Sequence, residues 1–293
     1  MKPIPESELI LNHDKSVYHL HLHANDIADT IITVGDPSRV KEVSKHFDKI
    51  EVKKQNREFV THTGRIGKKR ITVISTGIGP DNIDIVFTEL DAAVNVDLKT
   101  RLIKSEKKVL QFIRVGTSGA LQADIPVDSF VASGFGLSLD NLMHFYQPKI
   151  STIEKYIANE FSKQILFPDA KIHPIAIASS PALLKLFSDK KITTGITVTC
   201  PGFYAPQGRV VRNKLALPNL INDLNKFNFK THRITNFEME TSAIYGMARL
   251  MGHEALSLSA IVANRVLKQF SKNGDKAVQK LIELTLENVS SSR

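Results

Sequence analysis

Gln207 and Arg209 stand two residues apart in FYAPQGR (203 to 209), a segment that Pro206 and Gly208 keep out of regular structure. A glutamine amide gives and accepts hydrogen bonds while a guanidinium only gives, so together they can read a flat, polar ring edge beside the Phe203 face. The same heptad also suits a solvated turn, because Pro and Gly punctuate loops. GDPSR (35 to 39) sets the N–H of Gly35 beside the start of a helix, with Arg39 reaching back from its first turn. Backbone N–H groups at a helix start attract anions, and a guanidinium matches phosphate oxygens. IRVGTSGA (113 to 120) supplies Arg114 at a strand end and the Thr117 and Ser118 hydroxyls between two glycines. A tight glycine turn with a surface arginine fits that segment equally well. Two strand ends that each carry Gly and Arg favour one shared oxyanion pocket. NFEMET (236 to 241) puts Glu238 and Glu240 at a strand-to-helix junction. They serve there either as acids at a helix start or as a carboxylate that accepts two sugar hydroxyls. Neither a P-loop nor a dinucleotide fingerprint is present.

The elements that must hold these residues alternate. DTIITVG (29 to 35) reads as a strand and 37 to 47 as a helix opened by Pro37; 57 to 77 reads as a hairpin and 80 to 94 as a helix. KVLQFIRVG (108 to 116) is a strand that breaks at glycine, followed by a strand near 128 to 137 and helices around 152 to 165 and 181 to 188. The strand ITTGITVTC then leads into FYAPQGR. The last third gives strand RITNFEME, helix TSAIYGMARLMG, strand ALSLSAIVANR and a helix from about 274 to 289. This order predicts an α/β fold: one domain, a central mixed but largely parallel sheet and flanking helices. Ligands gather at the carboxyl ends of such strands.

Composition narrows the function classes. Of 293 residues, 42% are apolar and 24% charged, as in soluble globular proteins. A net charge of +9 suits anionic ligands, but the cations are scattered, apart from KSEKK at 104 to 108 and DKK near 190. With no recognition motif beside them, a nucleic-acid partner is not expected. The single cysteine, Cys200, excludes an internal disulfide, and HLHLH (19 to 23) lacks further ligands for zinc, so no metal is expected there. It reads as a strand or a turn entry. The amino terminus has acidic and Pro residues where a signal peptide needs an apolar core, and no apolar run reaches membrane length, so a cytoplasmic location and no membrane partner are expected.

Taken in order, GDPSR, STGIG, IRVGTSGA, FEMETSA and IVANR resemble the nucleoside phosphorylase family. FYAPQGR, with GRVVR close to it, is similar to the uridine phosphorylase branch. The likeness covers roughly residues 16 to 270, which makes 1–15 an amino-terminal extension and 16–293 one catalytic domain. It implies reversible phosphorolysis of uridine to uracil and ribose 1-phosphate, with inorganic phosphate as co-substrate and no cofactor. By the matching motifs phosphate is held by Gly35, Arg39, Arg114 and Thr117, with Arg57 lent by a neighbouring subunit. Met239 and Glu240 hold the ribose, and His19 is lent across a dimer to the 5′-hydroxyl. Phe203, Gln207 and Arg209 bind the base together with Ser118 and Gly119. Arg209 steadies the departing base, and the chain forms a homodimer or homohexamer with shared sites. Purine-cleaving relatives carry an aspartate near Asn264, and an amide cannot supply its proton. Arg265 buttresses the base loop or pairs with an acidic neighbour. A monovalent cation near Glu58 and Ser75, as in some relatives, is a further expectation. Two features depart from the pattern: the stretch at 95–109 is longer than expected, and the base loop reads APQGR where the branch has PGQER. A purine nucleoside phosphorylase, a nucleosidase using water, and a non-catalytic nucleoside sensor are the alternatives.

Overall fold

The computed structural model describes residues 2–165, 167, 172–188 and 192–291, so the basic run at 189 to 191 lies outside the described residues. The chain begins with β1 (Thr30–Val34), α1 (Pro37–Ser44), β2 (Lys49–Asn56), β3 (Phe59–Ile66), β4 (Lys69–Ser75) and α2 (Pro80–Asn95). A small hairpin of β5 (Val96–Asp97) and β6 (Leu102–Ile103) precedes β7 (Gln111–Ala120) and β8 (Phe130–Ser138). Then come α3 (Thr152–Gln164), β9 (Ala176–Ala178), α4 (Pro181–Leu186), β10 (Ile192–Thr199), α5 (Leu220–Lys226), β11 (Asn228–Phe229) and β12 (His232–Glu238). The chain closes with α6 (Thr241–Met251), β13 (Glu254–Asn264), β14 (Gln269–Phe270) and α7 (Gly274–Ser291).

One mixed sheet runs in the order β11-β12-β10-β8-β13-β7-β1-β4-β3-β2, with β14 on β13 and β9 on β8. Its centre is parallel: β1 pairs with β4 and β7, and β7 with β13. β1 is buried along its whole length, as a parallel strand covered on both faces must be. On one face Phe87 of α2 stacks on Phe112 of β7, ring centroids 4.1 Å apart. On the other, α7 buries Val278, Leu281, Ile282 and Leu286 at helical spacing. Each such side chain contributes about 1.5–3 kcal/mol when fully buried.

Two features of the sheet decide the site. First, β7 does not break at Gly116. It stays paired with β13 from Gln111 opposite Glu254 to Ala120 opposite Asn264, so Arg114 lies in mid-strand and Thr117 and Ser118 are strand residues rather than turn residues. Second, β12 also meets β7 antiparallel, Phe237 facing Gly119, which closes β7, β13, β8, β10 and β12 into a ring. A Cβ on Gly119 would come within 2.8 Å of the Phe237 ring, so the bare glycine permits that closure.

The elements that sequence reading passes over are edge or very short ones. β2 alternates exposed and half-buried positions and is rich in lysine, the chemistry that keeps an edge strand from pairing with other chains. The remaining ones, α5 and the strands of two or three residues, are too short to show a period. HLHLH is a turn, not a strand: the Val17 N–H donates to the Leu22 carbonyl at 3.1 Å and both leucines are buried. Residues before 16 pack on the β5–β6 hairpin, where Ile4 and Arg101 exchange hydrogen bonds of 2.9 Å. The amino-terminal segment and the β5–β6 hairpin therefore form one unit. Among the described residues no helix is long and apolar enough to cross a membrane.

Candidate active site

At the carboxyl ends of these strands lies a cavity of about 640 Å³, within the range of small-ligand sites. Gly35, Arg39, Arg114, Thr117, Ser118, Gly119, Phe203, Gln207, Arg209, Met239 and Glu240, gathered from most of the chain's length, all line it.

Its anionic subsite starts where β1 ends. Asp36 caps α1 by accepting the Ser38 N–H at 2.8 Å, which fixes the turn that follows Gly35 and sets Arg39 in the first helical turn. Arg39 Nη1 lies 3.4 Å from the Val115 carbonyl, and burial, then the nearby Arg114 guanidinium, presses its pKa below the usual value. Arg114 is buried and places Nη2 at 2.5 Å from Glu240 and 3.2 Å from Glu238. Burial alone would lower its pKa, but the two carboxylates more than reverse that and hold the charge. Arg114 Nη1 is buried with no hydrogen-bond partner. Two crowded guanidinium groups, one with an unspent donor beside an open cavity, make a seat for an anion.

Gly116 sets that geometry. A Cβ there would stand 1.7 Å from Arg114 Nη1, so the side chain can fold back along its own strand only over a glycine. Gly116→Ala is expected to displace the guanidinium and lower kcat/KM by about a hundredfold, as misplacement by an ångström can. Steady-state kinetics with phosphate varied would read it, and an unchanged phosphate KM would contradict it.

The two glutamates, which look alike in NFEMET, do different work. Glu238 accepts from the N–H groups of Glu240 and Thr241 at 2.9 and 3.0 Å and from the Thr199 hydroxyl at 2.9 Å. It is thereby committed to the start of α6, though it too lines the cavity. Glu240 accepts the Gly79 N–H at 2.9 Å and the Arg114 guanidinium, and faces the cavity with Met239. Gly79 holds φ at 99° to present that N–H, a backbone that favours glycine. Burial raises the Glu240 pKa, and Arg114 partly offsets this.

The loop after β10 forms the rim. Arg209 Nη1 donates to the Phe203 carbonyl and to Gln207 Oε1, both at 2.6 Å, and its guanidinium lies 3.7 Å above the Phe203 ring. With its oxygen taken by Arg209, the buried Gln207 amide keeps its N–H groups. Burial, and next the Arg265 guanidinium, pushes the Arg209 pKa down to about 10. Arg265 buttresses this loop, donating to the Gln207 carbonyl at 3.0 Å and the Gly208 carbonyl at 3.4 Å.

Several expected residues stand elsewhere. His19 and Arg57 are absent from the cavity's lining but lie close to each other, because Asn56 Nδ2 donates to the His19 carbonyl at 2.8 Å. Glu58 reaches the rim, whereas Ser75 is buried and commits its hydroxyl, accepting from Val60 N–H at 2.7 Å and donating to the Glu58 carbonyl at 2.5 Å. That bond ties the Ser75 hydroxyl to the Glu58 backbone within one chain. Asn264 lies outside the cavity with its amide committed, donating to the Gln122 and Ile125 carbonyls and accepting from Val266 and Leu267 N–H. Sequence reading missed Asn82, Ile78 and Phe270 in the lining. Ile78 and Asn82 belong to the turn after β4 and the first turn of α2, respectively, where the STGIG motif was the available signal. Phe270, on short β14, left none.

Comparison with known proteins agrees with this geometry. Residues 29–290 match the Phosphorylase superfamily. A uridine phosphorylase of Thermococcus kodakarensis is 30% identical over 262 residues, 88% of this chain and 81% of that one. A DeoD-type purine nucleoside phosphorylase of Buchnera aphidicola is 27% identical over 277 residues, 94% of this chain and 99% of its own. The crystal structure of a Trypanosoma brucei nucleoside phosphorylase, described as showing uridine phosphorylase activity, superposes with a TM-score of 0.89 at 27% identity, covering 97% of this chain and 100% of that one. With the family match spanning the strands, the arginine-lined cavity and the glutamates of α6, this chain belongs to the Phosphorylase superfamily, in its nucleoside-cleaving, uridine phosphorylase branch.

Proposed function

We propose that the enzyme catalyses reversible phosphorolysis of uridine, giving uracil and ribose 1-phosphate. The observation that carries this reading is the convergence of Arg39 and Arg114 on one cavity that also holds Glu240 and the Gln207–Arg209 rim. Arg39, Arg114, the Gly35 N–H and the Thr117 hydroxyl seat hydrogen phosphate; Glu240 and the Met239 backbone hold the ribose hydroxyls; Phe203, Gln207 and Arg209 take the base, with Ser118 and Gly119 beside it. A phosphate oxygen forms the new bond to C1′ as the C1′–N1 bond breaks. The electron pair passes into the uracil ring, where the Arg209 cation faces the charge that develops on the carbonyl edge. The phosphate's proton balances the products as N–H of neutral uracil. Holding the dianion under the sugar both positions the nucleophile and opposes the positive charge on the ribose.

An amide at Asn264, where purine-cleaving relatives carry an aspartate, and its commitment outside the cavity support a pyrimidine over a purine base, since no acid stands there to protonate a purine ring. Phosphate omission is the test: uridine, thymidine and inosine are assayed with and without phosphate. Uridine turnover that requires phosphate and yields ribose 1-phosphate is expected. An equal rate in phosphate-free buffer would identify a nucleosidase instead, and tight uridine binding without turnover a sensor.

The placement of His19 and Arg57 outside their own chain's cavity supports shared sites in a homodimer or homohexamer. There Arg57 completes the neighbour's phosphate seat and His19 meets its 5′-hydroxyl. Arg57→Ala is accordingly expected to lower kcat/KM by about 10²-fold while leaving stability unchanged, because this exposed side chain has no hydrogen bond or ion pair among the described residues. Full activity of an isolated monomer in a sedimentation-coupled assay would rule the shared site out.

A further inference from the structure

Glu89, in the middle of α2, has no place in the cavity, yet its carboxylate collects an unusual set of donors. The His19 N–H stands 2.9 Å from each of its oxygens and the Leu20 N–H 2.9 Å from Oε2. The imidazole Nδ1 of His19 completes the set at 2.6 Å from Oε1. Glu89 is buried, while the His19 side chain keeps 28% of its surface exposed. The Asn56 amide holds the His19 carbonyl, so backbone and ring are both fixed within one subunit.

An ionised carboxylate only accepts, so the nitrogen facing it must carry a proton. In the neutral ring Nδ1 then bears the hydrogen, and Nε2 is left with its lone pair. We propose that Glu89 is a positioning residue that sets this tautomer, so that His19 Nε2 accepts a hydrogen bond from the 5′-hydroxyl of a nucleoside in the neighbouring site. The inference rests on the phosphorolysis and shared-site reading above and adds to it the direction of that hydrogen bond and the residue that imposes it. It also explains why a glutamate interrupts the apolar flank of α2 between Phe87 and Leu90: the carboxylate meets two backbone N–H groups and a ring N–H that would otherwise lose their partner. The other end of α2 leads back through Pro80 to Gly79, whose N–H holds Glu240. One helix thus fixes a ribose ligand in its own site and a sugar contact for the next.

Glu89→Gln tests this, because the amide keeps an acceptor for the backbone but can donate where the carboxylate accepted, which favours the opposite tautomer. Nitrogen-15 spectra of the imidazole should show the Nδ1–H form in the wild type and the Nε2–H form in the variant. Uridine kcat/KM should fall about tenfold, the weight of one hydrogen bond, while 5′-deoxyuridine kcat/KM stays level. His19→Ala should abolish the wild type's preference for uridine over 5′-deoxyuridine, and adding Glu89→Gln to it should change nothing further. Equal losses on both substrates, or an unchanged tautomer, would overturn the proposal and leave Glu89 as a fastener of the amino-terminal segment. If the wild type shows no phosphate-dependent uridine cleavage, the functional reading fails separately, and the spectra still decide whether Glu89 governs the ring.

Discussion

Arg114→Ala is expected to abolish phosphorolysis and to destabilise the fold together. The guanidinium is buried against Glu240 and Glu238, so its loss leaves two largely buried carboxylates without their counter-charge. Breaking a buried pair from one side costs about 3–5 kcal/mol, readable as a lower denaturant midpoint. The same change removes a positioned charge from the phosphate seat, and such a group is worth about 10²–10³ in rate. The two losses can be separated. In Arg114→Met/Glu240→Gln the nearer carboxylate is neutralised with the guanidinium, and Glu238 keeps the N–H groups of Glu240 and Thr241 and the Thr199 hydroxyl, so part of the stability should return while activity stays absent. A double variant that regained turnover would show that Arg114 serves only the fold.

Arg209→Ala should have the opposite signature. Its hydrogen bonds go to Phe203 and Gln207 of its own loop, so little of the core depends on it. Burial and the neighbouring Arg265 disfavour its charge, an unfavourable interaction that removal relieves. Stability should therefore change by less than about 1 kcal/mol. Uridine kcat/KM should still fall by about 10²–10³, since the departing base loses its cation. Phosphate KM should be unaffected. Arg209→Lys should restore little, because a lysine cannot both stack on Phe203 and hold the Gln207 oxygen. Wild-type turnover by Arg209→Ala would remove the residue from the reaction.

The contrast between the two arginines marks what could be read in advance. Gln207 and Arg209 act from one loop, so their spacing along the chain is close to their spacing in space. The same holds for the turn at Gly35 and Arg39, where a Pro at the helix start and an Asp cap announce the geometry. The motif at 113 to 120 offers Arg114 for phosphate but reads it at a strand end. Its true position became visible only when β13 was laid beside it through Gly116 and Gly119. Glycine reads locally as a break, and here it serves close approach instead: one makes room for the Arg114 side chain, the other for the Phe237 ring.

The sequence by itself determined the alternation of strands and helices, the glycine and proline turns that open the helices, and the residue types that could seat a dianion, a diol and a carbonyl edge. These depend on backbone sterics and side-chain chemistry within a few residues. Only the tertiary structure decided how Glu238 and Glu240 divide their partners, that Asn264 is committed to its loop, and that His19 answers to Glu89 seventy residues away. Local N–H groups take part, from Glu240 and Thr241 on Glu238 and from Val266 and Leu267 on Asn264. But each outcome also needs a partner far along the chain, Thr199 for Glu238, Gly79 and Arg114 for Glu240, Gln122 for Asn264 and Glu89 for His19, and only the packing of the sheet and α2 brings those partners in.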